Sequence, residues 1–292
     1  MVLKNHRKSG LVFLTLAISF FLIGLVFTLT FYADSDATDS NGLYYNKEYF
    51  AESVGGDEFN YKVKLNTDGQ NTITIIGSTY DKEYGNLTIP SVLIVNGSEY
   101  KVTQIGSYAF YAHGSSKTHI MGNLSIPNTV LSIGPHAFEG QYAVTSIIFD
   151  DESKLKEIGP CAFSRVGWYT GSATVTIPDS VTNIGSYAFS KLSAENTDTF
   201  NQMRNKSISI ILGQNNNLEV IGNFAFCGQK GSIHLTEKIK EVGYAAFSSD
   251  MDVTIDSQNT QYKIENGGLY SKDGKSLISA LYASLETMVV AE

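Results

Sequence analysis

The sequence predicts a solenoid, a stack of short repeats that bury one another, set behind a single apolar export segment. Three observations support this. A six-residue phrase recurs six times, a short alternating strand accompanies the copies, and an uncharged run near the amino terminus separates basic from acidic residues.

The phrase is Ile-Gly, two variable residues, then Ala-Phe. It reads IGSYAF at Ile105–Phe110, IGPHAF at Ile133–Phe138, IGPCAF at Ile158–Phe163, IGSYAF at Ile184–Phe189, IGNFAF at Ile221–Phe226 and VGYAAF at Val242–Phe247. Successive phenylalanines stand 28, 25, 26, 37 and 21 residues apart. The first and last residues of each copy are the expected repeat core. The glycine allows a tight or left-handed bend. The alanine leaves room for its phenylalanine, and the phenylalanines are expected to stack as a spine. One unit cannot bury its own apolar face, so the units must stack.

The strands are Leu87–Ile89, Leu124–Ile126, Ile147–Phe149, Val175–Ile177, Ile210–Leu212, Ile233–Leu235 and Val253–Ile255. Each sends its outer residues inward and its middle residue outward. Pro90, Pro127 and Pro178 close three of them, where the missing donor costs no ladder bond. The outward row is then Thr88, Ser125, Ile148, Thr176, Ile211, His234 and Thr254, an uncharged face rich in hydroxyls with two isoleucines. This row is the candidate ligand-contact face, and Trp168 and Tyr169 are candidate loop contacts. The competing account is that threonine and isoleucine are simply good strand formers.

Composition narrows the partners. The 292 residues carry 29 acidic and 21 basic side chains, a net charge of -8, which excludes a polyanion binder and so a nucleic-acid partner. With 17% charged and 42% hydrophobic residues, the chain is a folded one. Two cysteines exclude a disulfide-dense scaffold. Cys161 and Cys227 lie in non-adjacent copies, so no disulfide is expected between them.

Lys4, His6, Arg7 and Lys8 precede the apolar run from Gly10 to Ala33, and Asp34, Asp36 and Asp39 follow it. The run is long enough to span a bilayer as a helix, and the basic flank orients everything after it to the outside. An uncleaved signal anchor is the favoured reading, because the run is long and lacks a clean small-x-small cleavage site. A long signal peptide is the alternative. Either way the remainder is extracellular, membrane-anchored through residues 10–33 or secreted.

Val175–Phe189 (VTIPDSVTNIGSYAF) resembles the repeat of the BspA-like leucine-rich repeats, the treponemal type found in surface proteins, and the likeness runs over residues 58–292. The resemblance implies an α/β repeat fold: a curved right-handed leucine-rich-repeat solenoid with one short-stranded parallel sheet and irregular or briefly helical turns opposite. It also implies an amino-terminal capping hairpin. Two features depart from the family pattern. Cys161 precedes Phe163 and Cys227 directly follows Phe226, whereas family repeats often place a cysteine three residues after the phenylalanine. A polar insertion, Lys191–Lys206, fills the 37-residue interval.

The expected organisation is a basic cytoplasmic region at 1–9, the export segment at 10–33 and a polar spacer at 34–57. A cap hairpin around Thr67-Asp68-Gly69 follows at 58–86, then the repeats at 87–260. Val92–Lys101, with its Asn96-Gly97 turn, reads as an insertion in the first repeat. Residues 261–292 read as a hairpin turning at Asp273-Gly274 and the start of a further, incomplete repeat in Leu285–Glu292.

No catalytic constellation is legible. Nucleophile elbows, H-E-x-x-H and phosphate loops are absent from the sequence. The histidines, His6, His113, His119, His136 and His234, lack ligand-like spacing, so no metal and no cofactor is expected. His136 fills the variable slot held by Tyr108 and Tyr187 in sister copies. Asp150, Asp151 and Glu152 read as a solvated turn, with a weak calcium contact as the alternative. Asn86, Asn96 and Asn205 head glycosylation tripeptides that matter only in a eukaryotic host.

Export, repeats and the lack of catalytic groups together predict a non-catalytic recognition or adhesion module that binds an extracellular protein or glycan. A structural spacer or stalk is the second class, and an exported enzyme the least supported third.

Overall fold

The computed structural model describes residues 37–45, 47–53, 60–78, 85–112, 119–170, 174–191 and 207–281, together with the backbone of two short strands near the amino terminus. Those strands, β1 (Ala17–Phe20) and β2 (Leu25–Thr28), pair antiparallel. Among the described residues no helix is long and apolar enough to cross a membrane. The 1–9 region, the 192–206 part of the insertion and the strand expected at 285–292 lie outside the described residues.

All regular structure described is β, which overturns the α/β class. A closed barrel stands where a capping hairpin was expected. Its staves are β3 (Glu48–Ser53), β4 (Asn60–Leu65), β5 (Thr72–Ser78), β7 (Val92–Val95) and β8 (Ser98–Ile105), with the short β6 (Leu87–Thr88) lying outside the ring. The ring runs β3–β4–β5–β8–β7 and closes where β7 pairs with β3 through Glu52↔Ile94. Period-two alternation builds it: Tyr61, Val63 and Leu65 are buried while Lys62 and Lys64 between them are exposed. The hairpin around Thr67-Asp68-Gly69 exists as β4–β5, but as two staves of five. The Asn96-Gly97 segment is the β7–β8 turn, not an insertion, and both residues have positive φ (49° and 83°), as a two-residue hairpin turn requires. The expected spacer likewise contributes a stave, β3. Among the described residues, closure pairs each of the five staves on both sides.

The copies then stack as two parallel ladders rather than one. The first runs in two hydrogen-bonded blocks, β6 with β9 (Asn123–Ile126) and β11 (Ser146–Phe149), then β13 (Thr174–Ile177), β15 (Ser209–Leu212), β17 (Lys230–Leu235) and β19 (Met251–Ile255). The second consists of two-residue strands at each Ile of the phrase: β10 (Ser132–Ile133), β12 (Glu157–Ile158), β14 (Asn183–Ile184), β16 (Val220–Ile221) and β18 (Glu241–Val242). This second ladder grows directly from barrel strand β8 through Ile133↔Ile105, so barrel and repeats share one ten-stranded sheet. Three antiparallel strands, β20 (Tyr262–Glu265), β21 (Gly268–Ser271) and β22 (Leu277–Ala280), follow the last copy. The Ala245 amide donates to the Ile278 carbonyl at 2.9 Å, so this sheet takes the place of the next rung.

The phrase turn is set differently from the expectation. The left-handed residue is the second variable one: Tyr108, His136, Cys161, Tyr187, Phe224 and Ala245 have φ between 48° and 59°. Such a conformation costs a non-glycine residue about 1–2 kcal/mol. It is held by rung-to-rung bonds, for example His136 N donating to Pro160 O at 2.9 Å and Phe138 N to Ala162 O at 2.8 Å. The phrase glycine is required by space instead. A Cβ on Gly159 would sit 2.7 Å from Pro135 N and 2.8 Å from Gly134 C of the rung before.

Inside the stack the six phenylalanines form a continuous spine. Phe110, Phe138, Phe163, Phe189, Phe226 and Phe247 are all buried, with successive ring centroids 5.1, 5.4, 5.2, 5.7 and 5.9 Å apart and planes within 16°. Ile105, Ile133, Ile158, Ile184, Ile221 and Val242 are buried beside them. Offset stacking of this kind adds about 0.5–1.5 kcal/mol per pair beyond area burial.

Candidate functional site

The outward row of the first ladder is the first candidate. Thr88, Thr176 and Thr254 are exposed, and Ser125 and His234 are partly so. Ile148 and Ile211 keep 44% and 37% of their surface exposed, against the alternation that buries their strand neighbours Ile147, Ile210 and Leu212. Thr88, Ser125 and Ile148 are register partners, as are Thr176 and Ile211.

The row breaks twice. No backbone pairing joins β11 to β13. Between β15 and β17 the register moves by two residues, so Ile211 lies opposite Ser232 rather than His234, and Asp252 comes next. Gly231 explains the shift. At φ 121°, it lies against Ile210, where a Cβ would overlap the Ile210 carbonyl. His234 instead aligns with Thr254, its Nδ1 2.9 Å from the threonine hydroxyl. Beside Ile148 the surface is prepaired: Asn123 Oδ1 accepts from Thr145 and Ser146 hydroxyls, each at 2.8 Å. At Thr88 the row meets an open groove of about 570 Å³ between barrel and repeats, lined by Pro90, Val92, Glu99, Pro127 and Asp150 among others.

The second candidate is the edge formed by the turns. Gly167 N and Tyr169 N donate to Gln141 O (3.1 Å) and Tyr142 O (2.9 Å), which lays the Trp168–Tyr169 loop on the preceding copy. Trp168 and Tyr169 stand 5.4 and 5.3 Å from the Tyr142 ring, and the Arg165 guanidinium lies 5.6 Å over it. Tyr169 is 57% exposed, while Trp168 Nε1 is buried with no hydrogen-bond partner among the described residues. Burial pushes the Tyr142 hydroxyl above its ordinary pKa.

Behind this edge lies a cluster that spacing in the sequence did not reveal. His136 Nδ1 contacts Glu139 Oε2, and Arg165 Nη2 donates to Glu139 Oε1 at 2.9 Å. Tyr108 stacks on His136 at 4.6 Å. Cys161 completes the group, its thiol pushed up to about 11 by burial, with Glu139 adding to the shift. Both cysteines are free thiols.

Two buried glutamines were also missed. Gln141 Nε2 donates to Phe110 O at 2.7 Å while its Oε1 accepts from Ile120 N at 2.8 Å. Gln229 repeats the arrangement with Phe189 O (2.7 Å) and Ile208 N (2.9 Å). Each stands three residues after a spine phenylalanine, a sequence signal that was available.

Stacked copies of this phrase on a two-ladder frame define a repeat-scaffold class of protein. The chain belongs to the BspA type leucine rich repeat family, whose model matches residues 103–210 and 196–278 in six copies. Scaffolds of this family are characteristically non-catalytic, and this chain is one of them. No curated protein matches the chain. Among solved structures it is similar to the pneumococcal vaccine antigen PcpA, at 22% identity and a TM-score of 0.57, over 78% of this chain and 55% of that one. A leucine rich cell surface protein from Faecalibacterium prausnitzii A2-165 is 23% identical with a TM-score of 0.45, over 78% of this chain and 60% of that one. The chain thus spans little more than half the length of these relatives.

Proposed function

We propose that this chain is an exported cell-surface recognition module that binds an extracellular protein or glycan through the uncharged β-face around Ile148 and Ile211. The observation that carries the reading is the exposure of these two isoleucines in a row whose register neighbours are the hydroxyl residues Ser125, Thr176 and Ser232. Apolar side chains presented in a polar row on a rigid frame suit a desolvated contact with hydrogen-bonding groups around it. Export rests on the apolar run Gly10–Ala33 with its flanking charges, as signal anchor or signal peptide. The fold likeness to a vaccine antigen is in keeping with that location.

The turn edge offers a second reading, favoured by the exposed Tyr169, whose ring is suited to stacking on a sugar ring. The test is a binding screen of the purified chain against matrix proteins, glycans and partner-cell surfaces. Ile148→Asp/Ile211→Asp and Tyr169→Ala are compared after each has matched wild-type circular dichroism. Saturable binding lost only in the aspartate pair supports the β-face. Loss only in Tyr169→Ala moves the site to the turn edge, and no binding to any surface leaves a structural spacer as the better account.

A further inference from the structure

The expectation of no metal ligands came from spacing along the chain. His136 and Cys161 are 25 residues apart, but they are the same phrase position in consecutive copies. Both are left-handed, with φ of 57° and 55°, so stacking sets their side chains side by side. Glu139, directly after the spine residue Phe138, reaches the same point. Donor atoms of the three lie within 4.8 Å of one another, and among the described residues this is the one such group of His, Cys, Asp and Glu. In sister copies the His136 position holds tyrosine, phenylalanine or alanine, so the donor set belongs to the second and third copies.

We propose that His136 Nδ1, Glu139 Oε2 and Cys161 Sγ form a binding site for a zinc-type divalent cation, with the fourth position open to solvent. The donors are one imidazole nitrogen, one carboxylate oxygen and one sulfur, a borderline set that suits Zn²⁺ over Ca²⁺ or Mg²⁺. Donor atoms around a tetrahedral zinc ion lie roughly 3.3–3.6 Å apart. Reaching that spacing means parting His136 from Glu139 and drawing Cys161 in, side-chain adjustments of about 1 Å. Binding releases the Cys161 thiol proton to solvent, together with any proton shared between His136 and Glu139, and leaves the thiolate and the carboxylate on the ion.

The surroundings already do what supports to metal ligands do. Arg165 Nη2 holds the other carboxylate oxygen of Glu139 at 2.9 Å, which leaves Oε2 for the ion. Tyr108, with its ring 5° from parallel, fixes the plane of the His136 imidazole. The His136 side chain remains 29% exposed, so a water or a donor from a bound partner has access to the fourth position.

The test is titration of the reduced full chain with Co²⁺ as a spectroscopic probe. The expected result is a thiolate-to-cobalt charge-transfer band and tetrahedral d–d bands that saturate at one equivalent and vanish on adding Zn²⁺. Cys161→Ser and His136→Tyr should each weaken binding by at least about tenfold. His136→Tyr restores the residue of two sister copies and so keeps the turn intact. Cys227→Ser, which removes the other thiol, should leave the bands unchanged. Absence of the bands at tenfold excess of cobalt, or their persistence in Cys161→Ser or His136→Tyr, overturns the proposal.

Discussion

Replacing the phrase glycine of the third copy, Gly159→Ala, separates a requirement for space from one for backbone freedom. The new Cβ would lie 2.7 Å from Pro135 N, 2.8 Å from Gly134 C and 2.9 Å from Ile133 O, all backbone atoms of the rung before. No side chain can swing away, so the rungs must part, and the 2.7 Å bond from Gly159 N to Ile133 O stretches with them. Overpacking of this kind costs about 1–3 kcal/mol, and a weakened ladder bond about 1 more. The expected loss is therefore about 2–4 kcal/mol. Urea denaturation followed by circular dichroism measures it, with two comparators. Gly106→Ala should cost less, because its nearest neighbours are Ile75 O at 3.1 Å and two side-chain methyl carbons at 3.2 and 3.3 Å. Gly85→Ala, with nothing within 4 Å, should be neutral or gain about 0.4–1 kcal/mol through the unfolded state. A Gly159→Ala protein within about 0.5 kcal/mol of wild type, or a Gly85→Ala protein equally damaged, would refute the reasoning.

Other outcomes follow from the same geometry. Phe163→Ala removes a fully buried ring stacked between Phe138 and Phe189 and should cost about 3–5 kcal/mol in the same denaturation assay. Gln141→Ala strands the Phe110 carbonyl and the Ile120 amide and should cost about 1–3 kcal/mol, with faster amide exchange at Ile120. Ala245→Gly relieves a left-handed alanine at φ 48° and should raise stability by up to about 1 kcal/mol, the reverse of the usual effect of glycine. Burial holds the Cys161 thiol at about 11, so its alkylation rate should keep rising up to that pH in the metal-free protein. The unfolded thiol ionises lower, near 8.5. Its neutral form therefore favours the fold below that pH, and the contribution is lost as pH rises towards 11.

The parts of the molecule legible in the sequence are those that a single copy displays. Phe110 and its five counterparts recur with alanine beside them, so their stacking followed from the repeat itself. The barrel was not legible, because β4 and β5 alternate as any hairpin does. Its closure rests on pairings such as Glu52↔Ile94 and Thr72↔Lys101, between residues that no local pattern connects. The second ladder was hidden for a similar reason: two residues per copy, such as Ser132 and Ile133, are too few to show a period. The left-handed position was masked by its occupants, since tyrosine, histidine, cysteine, phenylalanine and alanine share no turn signature. Spacing read along the chain separated His136 from Cys161, and stacking of consecutive copies joins them. The outward row was legible within blocks, through Thr88, Ser125 and Ile148, but Gly231 shifted its continuation past Ile211.

The most direct test of the recognition account is a hydroxyl-radical footprint of the chain, read residue by residue with and without a surface partner identified by the binding screen. The account predicts that oxidation of Ile148 and Ile211 falls on binding, while that of the exposed Tyr169 and Tyr244 on the turn side does not change. Undiminished oxidation of both isoleucines in the saturated complex would contradict it.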